Sequence, residues 1–409
     1  MDERLALTEA LCAAMRGRQV SWPEGTLDAA GWNALFDLSG RHHVTAPVVQ
    51  AVYTAPAFLA LDGAVRGAVL QRHRLQVVGH TQRAAAFAAL WQQLDAAGFR
   101  AVIMKGAACR SVYPKQCVRP SSDEDVLVPD DQFHRCIVFL KERGFACGDV
   151  AEDAFEAGLR RADGLYLELH RTPFDPTDAV LGACNAWFDG LFDRAVTVEA
   201  DGYPFRVMGT QDHMLLLILH AFKHLLYSGF GLRQVCDMVL WAETYGAGID
   251  WEKLIEQCVA VRAVGFTRAV FQIGRQYLEM DVQKACLPAL LLGEEDAAEL
   301  LLDDLFDGGV FGTANLSRHH SATVTHNAVT ADRTGEKPTL RKSLFPPRAQ
   351  MQGQYPYVER SPLLLPVAWG ARLVRYGAEV LRRDDSDAAE TLRIGCERVE
   401  LLRKLDIMD

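Results

Sequence analysis

Arg119-Pro120-Ser121-Ser122-Asp123-Glu124-Asp125-Val126-Leu127-Val128-Pro129 sets two aspartates two residues apart at the head of a short apolar run closed by proline. The run from Asp123 to Val128 reads as a buried strand. Side chains on a strand alternate between its faces, so residues two apart project together, about 6.5–7 Å apart along the chain. Asp123 and Asp125 therefore share a face, and Glu124 points to the far side of the sheet as a surface residue or a sign of a weakened site. Paired carboxylates on one face suit Mg²⁺, a hard ion that takes oxygen ligands and is completed by water and substrate phosphates. Two such ions about 3.5–4 Å apart can clamp the attacking and leaving oxygens of a phosphoryl displacement. An Asp-x-Asp pair alone also arises by chance at solvated strand ends, so its neighbours decide.

Upstream, Ala101 to Met104 reads as a buried strand, and Lys105-Gly106 leads into a short helix from Ala107 to Tyr113. Glycine lets the backbone approach a phosphate, helix-opening amides favour anions, and Lys105 adds a point charge. Pro114 and Pro120 bracket a loop. Arg119 can pair with phosphate oxygens, or alternatively with Asp123 or Asp125, and Ser121 and Ser122 can donate hydrogen bonds. Downstream, Asp130 to Arg143 reads as an amphipathic helix ending at Gly144, and Gly164 to His170 as a third strand. There Tyr166, Glu168 and His170 alternate with Leu165, Leu167 and Leu169, giving one polar and one apolar face. If this strand neighbours the first, Glu168 completes a carboxylate triad. Strand alternating with helix implies a mixed α/β core of about one hundred residues.

Both flanks read as helical. Leu5, Leu7, Leu11 and Met15 recur at helical spacing, Asp28 suits the N-terminus of a helix to Leu38, and Val44 to Val52 is another. The stretch from about Gly67 to Ala97 forms one or two amphipathic helices stopped by Gly98. After residue 206, Thr210 or Asp212 is the expected N-cap of a helix from Met214 to Tyr227. Further helices are expected at Leu232 to Tyr245, Trp251 to Arg262, Gly265 to Leu278 and Ala388 to Ile407. A long loop is expected from about 308 to 345. The expected division is 1–97 helical, 98–205 core, 206–307 helical, and 308–409 flexible segment with C-terminal helices.

With 409 residues, 49% hydrophobic and 23% charged, the chain has ample material for a core. A net charge of −10 argues against a nucleic-acid partner, whose grip is built from Lys and Arg. The ten cysteines form no C-x-x-C pair. Cys12, Cys136, Cys236 and Cys258 read as buried free thiols, suiting a reducing cytoplasm. Neither a signal peptide nor a membrane span is expected, and the expected location is cytoplasmic.

His213, His220 and His224 share one helix face; the bland reading, a polar seam, outweighs zinc, because no local carboxylate or Cys completes a ligand set. Lys223 or His224 could border a nucleotide pocket, and Asp237 could pair with one of these histidines or with Arg233. His319-His320 reads as solvated. Arg341, Lys342, Arg372, Arg375, Arg382 and Arg383 read as solvated basic helix faces, with docking of a phosphate-bearing acceptor there as the lesser alternative.

The run Val102-Ile103-Met104-Lys105-Gly106, then Tyr113-Pro114, then Arg119 through Pro129, resembles the uncharacterised nucleotidyltransferase family found in bacterial polysaccharide and peptide natural-product clusters. Gly144-Phe145, Glu168-Leu169-His170, Asp212-His213, His220, His224, Leu232-Arg233, Asp237 and, upstream, Arg41 to Val44 fit the same resemblance. It implies an α+β fold: a polymerase β-like nucleotidyltransferase core with a mixed sheet, flanked by N-terminal and C-terminal helical regions. It further implies Asp123, Asp125 and Glu168 as catalytic carboxylates and ligands of Mg²⁺ or Mn²⁺. Lys105, Gly106, Arg119, Ser121, Ser122, His170, Lys223 and His224 are the nucleotide-binding candidates. The expected reaction moves a nucleoside monophosphate from an NTP, ATP foremost, to a hydroxyl on a sugar, metabolite, peptide or protein, releasing pyrophosphate. Two positions depart from the family pattern: Glu124 stands where an apolar residue is usual, and Ala107 follows Gly106 at a longer distance from Asp123. They motivate the alternative of a catalytically weak nucleotide-binding module acting through a partner.

Overall fold

A computed structural model describes residues 1–308 except 120, 228 and 294–296, together with 351, 355, 357–372 and 388–408. The loop expected over 308–345, beyond its first residue, lies outside the described residues, as do His319, His320, Arg341, Lys342, Arg375, Arg382 and Arg383. The chain opens with helices α1 (Glu3–Met15), α2 (Ala29–Arg41), α3 (Thr45–Val52), α4 (Pro56–Leu59) and α5 (Gly63–Ala96). Asp28 caps α2 as its sequence position suggests, its carboxylate accepting from the Gly31 amide. The α5 stretch is one continuous helix, with no proline or capping signal inside it to divide it.

Next come β1 (Val102–Ile103), α6 (Ala107–Arg110), β2 (Glu124–Leu127), α7 (Phe133–Lys141), β3 (Phe145–Ala146), β4 (Glu156–Arg161), β5 (Tyr166–His170), β6 (Val196–Ala200) and β7 (Tyr203–Val207). They build one seven-stranded sheet in the order β3-β4-β5-β2-β1-β7-β6. β2 runs parallel to β5, and β1 parallel to β7; β1–β2, β3–β4, β4–β5 and β6–β7 are antiparallel. Asp125 is directly opposite Glu168 in this register. The expected helix from Asp130 starts as a 3-10 turn, Asp130–Gln132, before α7.

Helices resume with α8 (Thr210–Tyr227), α9 (Leu232–Tyr245), α10 (Trp251–Ala260), α11 (Val264–Tyr277) and α12 (Ala297–Gly308), and a last helix covers Ala388–Lys404. Neither Thr210 nor Asp212 caps α8 from outside, because the helix already begins at Thr210. Asp212 is instead buried in the first turn, where the Arg194 guanidinium donates to both its oxygens at 2.9 and 3.1 Å. One contiguous buried cluster joins α1 to α3 (Leu7, Leu35, Val48), the sheet (Ile103, Val126, Leu167) and the later helices (Leu216, Phe271, Leu301). The structure is thus α+β, a mixed sheet flanked by helices. No described helix is long and apolar enough to cross a membrane. Cys12, Cys136, Cys236 and Cys258 are all buried free thiols.

Candidate active site

The apolar run Ala101 to Met104 is wholly buried, which anchors the backbone that delivers Lys105. The Met104 amide donates to Asp125 O at 2.9 Å, so the end of β1 is stitched to β2 beside the carboxylates. Lys105 Nζ then lies 2.8 Å from Asp125 Oδ1 and 2.8 Å from His220 Nε2 on α8. The ammonium can only donate, so His220 receives that bond on an unprotonated nitrogen. Burial and the nearby Lys105 charge keep His220 well below its ordinary range. Burial works against the Lys105 charge, but Asp125 outweighs it and the lysine is held above its ordinary value.

Asp125 and Glu168 meet across the parallel β2–β5 pair, and their environments push them apart. Burial alone would raise Asp125, yet Lys105 and His170 hold it below the usual carboxylate range. Glu168 is raised by burial and by the negative charge of Asp125. His170 completes the group: its Nε2 is 3.5 Å from Asp125 Oδ1 and its Nδ1 is 3.6 Å from Glu156 Oε2 on the neighbouring β4. Both ring nitrogens are buried without a hydrogen bond. Ligand atoms of Asp125, Glu168 and His170 all lie within 4.8 Å of one another. Two carboxylates and an imidazole are a donor set that could hold a divalent metal ion. Asp123 stands outside this close group. It precedes the first residue of β2, is half-buried, and accepts from Ser122 Oγ at 3.1 Å.

A cavity of about 270 Å³ opens over these groups. It is lined by every nucleotide-binding candidate, namely Lys105, Gly106, Arg119, Ser121, Ser122, His170, Lys223 and His224, as well as by Asp123, Asp125 and Glu168. His224 packs edge-on to His220 with ring centroids 4.5 Å apart, and burial with the Lys105 charge pushes it down to about 3. His213 lies apart from that pair, stacked on Trp241 at 3.9 Å. His220 and His224 thus form a packed pair at the cavity wall, while His213 belongs to the core beside Trp241.

Three expectations need correction. Arg119 pairs with neither Asp123 nor Asp125. It is buried against Asp237 on α9, with Nε at 3.1 Å and Nη2 at 2.5 Å from the two carboxylate oxygens. Tyr113 Oη donates to the same carboxylate at 2.7 Å, so Asp237 is held by Arg119 and Tyr113 rather than by a histidine or Arg233 alone. Arg119 therefore borders the cavity as part of its wall, its charge already matched.

Glu124 is not a surface residue, because the sheet is covered on both faces at this point and every residue of β2 is buried. Its carboxylate sits behind the Gly106 turn. There it accepts from the Ala107 amide at 2.9 Å and pairs with Arg110 Nη2 at 2.8 Å. Arg110, fully buried, also pairs through Nε with Asp201 at 2.8 Å, and His80 on α5 reaches Asp201 at 3.1 Å. The first amide of α6, expected to meet phosphate, is thus already taken by Glu124. Gly106 has φ +63°, and a side chain there would overlap the Glu124 carboxylate. The glycine is needed by the turn and by the glutamate behind it.

His220, Arg110 and Glu156 belong to the site's fabric although no single motif marks them. His220 was legible as a member of a helix face and of the family resemblance, but not as the partner of Lys105, a bond that spans 115 residues of sequence.

A sequence model of a family described as uncharacterised nucleotidyltransferase matches residues 28–279, well over half of the chain. No curated protein matches it.

Proposed function

The chain belongs to that nucleotidyltransferase family, and from this premise we propose that it moves a nucleoside monophosphate from an NTP, ATP foremost, to an acceptor hydroxyl. The observation that carries the reading is the register that sets Asp125 opposite Glu168, with His170 within ligand distance of both. A divalent ion, Mg²⁺ or Mn²⁺, held by Asp125, Glu168 and His170 would neutralise charge developing on the reacting phosphate oxygens. Asp123, at the half-buried mouth, would add a further oxygen ligand toward the triphosphate.

The chain's own groups divide the remaining work. In the proposed step the acceptor oxygen bonds to the α-phosphorus, the bond from that phosphorus to its bridging oxygen breaks, and pyrophosphate departs with that electron pair. The hydroxyl proton passes to Glu168. Glu168 lines the cavity opposite Asp125, which suits it to the role. Lys105, fixed between Asp125 and His220, supplies a positioned positive charge. Ser121, Ser122, Lys223 and His224 line the space left for the triphosphate. The net charge of −10 is consistent with a small-molecule or protein acceptor in place of nucleic acid.

The alternative, a catalytically weak binding module, was motivated by Glu124 and the Gly106-Ala107 pair. Both have a structural explanation in the network behind the turn, where Glu124 takes the Ala107 amide and pairs with Arg110. The test is pyrophosphate release from ATP with Mn²⁺ or Mg²⁺ over a panel of hydroxyl acceptors. Asp125→Asn and Glu168→Gln should each cost about 100-fold or more, with unchanged circular dichroism. Native turnover surviving in either folded variant would remove these carboxylates from the reaction.

A further inference from the structure

A second cavity of about 600 Å³ adjoins the first and shares Ser121, Ser122 and Arg233 with it. Its other walls come from the α2–α3 corner, with His43, and from α5, with Arg72, Gln76 and Arg83. The three α5 residues recur at i, i+4 and i+11, so the helix turns one polar face toward this bay. No carboxylate lines it. In a chain of net charge −10, α5 carries four arginines and no acidic residue before Asp95.

Arg66 donates to the Leu59 and Leu61 carbonyls of the preceding turn, but Arg72 and Arg83 have no such role among the described residues. α5 has no buried residue before His80, so its first half contributes little to the core. Arg72 and Arg83 make no ion pair with any described residue. Gln76 Oε1 is buried without a hydrogen-bond partner. Leu75 stands 66% exposed beside them, an apolar surface next to the charges. A cationic bay with spare donors and one apolar wall, open to solvent beside the carboxylate cavity, has the character of a ligand site.

Resting on the transferase reading above, we propose that this bay binds the acceptor, and that the acceptor is a small molecule carrying a phosphate group. Arg72 and Arg83, three turns or about 16 Å apart along α5, each bring a guanidinium to the bay, and either can hold phosphate oxygens through its paired N–H donors. The acceptor hydroxyl then reaches over the Ser121–Ser122 sill to the Asp125–Glu168 cavity. The bay's finite volume matches a phosphorylated metabolite, and a nucleic-acid strand would need a continuous basic groove.

The test titrates the full chain with inorganic phosphate by calorimetry at fixed ionic strength, with and without Mn²⁺ and a non-hydrolysable ATP analogue. Phosphate should bind alongside the analogue, and Arg72→Ala with Arg83→Ala should weaken it tenfold or more. Arg74→Ala, on the opposite face of α5, should leave it within twofold. Equal affinity in the native chain and the double variant, displacement of phosphate by the analogue, or no saturable phosphate binding would each overturn the assignment. Failure of the analogue itself to bind would count against the transferase reading, while the native and Arg72/Arg83 phosphate titrations still decide the bay.

Discussion

Asp237→Ala is expected to destabilise the chain by about 3–5 kcal/mol, because it leaves the Arg119 charge buried without its partner. Both groups are almost fully removed from water, and the guanidinium meets the carboxylate through two nitrogens. Burial opposes the Arg119 charge and Asp237 overcomes it, so the arginine is held above its ordinary value. Tyr113 loses its acceptor in the same variant and would be left with a buried hydroxyl. Chemical denaturation measures the loss directly. Arg119→Met combined with Asp237→Leu should recover most of it, since apolar side chains of similar volume need no counter-charge. A loss under about 0.5 kcal/mol for Asp237→Ala, the range of an ordinary surface substitution, would mean that Arg119 is not committed to the wall and is available to a ligand.

Gly106→Ala should be nearly as costly, at about 2–4 kcal/mol. Backbone at φ +63°, ψ −112° is unfavourable for any residue with a Cβ, and here the Cβ also falls on Glu124. Glu124 cannot easily retreat, because the Ala107 amide and Arg110 hold both its oxygens. Relieving the overlap would pull on Arg110, Asp201 and His80, and so on α6, the β6–β7 turn and α5 together. The denaturation midpoint should fall accordingly. An unchanged midpoint would show that the turn has another conformation of similar energy.

The carboxylate pair was legible because two strands with period-two alternation carry it. Tyr166, Glu168 and His170 had to share a face, and so did Asp123 and Asp125; only their adjacency needed the structure. Glu124 was misread from the same alternation that turns Asp125 toward the cavity. Alternation puts it on the opposite face, but says nothing of whether that face is solvent, and here it is buried beneath Arg110. Arg119 was misread because its partner lies 118 residues away. The β6–β7 hairpin was missed although Asp201-Gly202 marks a two-residue turn with both residues at positive φ. β4 was harder, with only Ala157 and Leu159 turned inward among polar residues. His170 could be placed on the polar face, but its approach to Asp125 depends on the tilt of the pair and on Glu156 from β4.

The central claim, a metal-dependent nucleotide site on Asp125 and Glu168, is tested most directly by equilibrium ATP binding with Mn²⁺ and with chelator. The native chain should bind ATP with Mn²⁺ and lose most of that affinity on chelation. Asp125→Asn with Glu168→Gln should lose about 100-fold or more in the presence of metal. ATP binding that ignores the metal, or that persists unchanged in the folded double variant, would contradict the account.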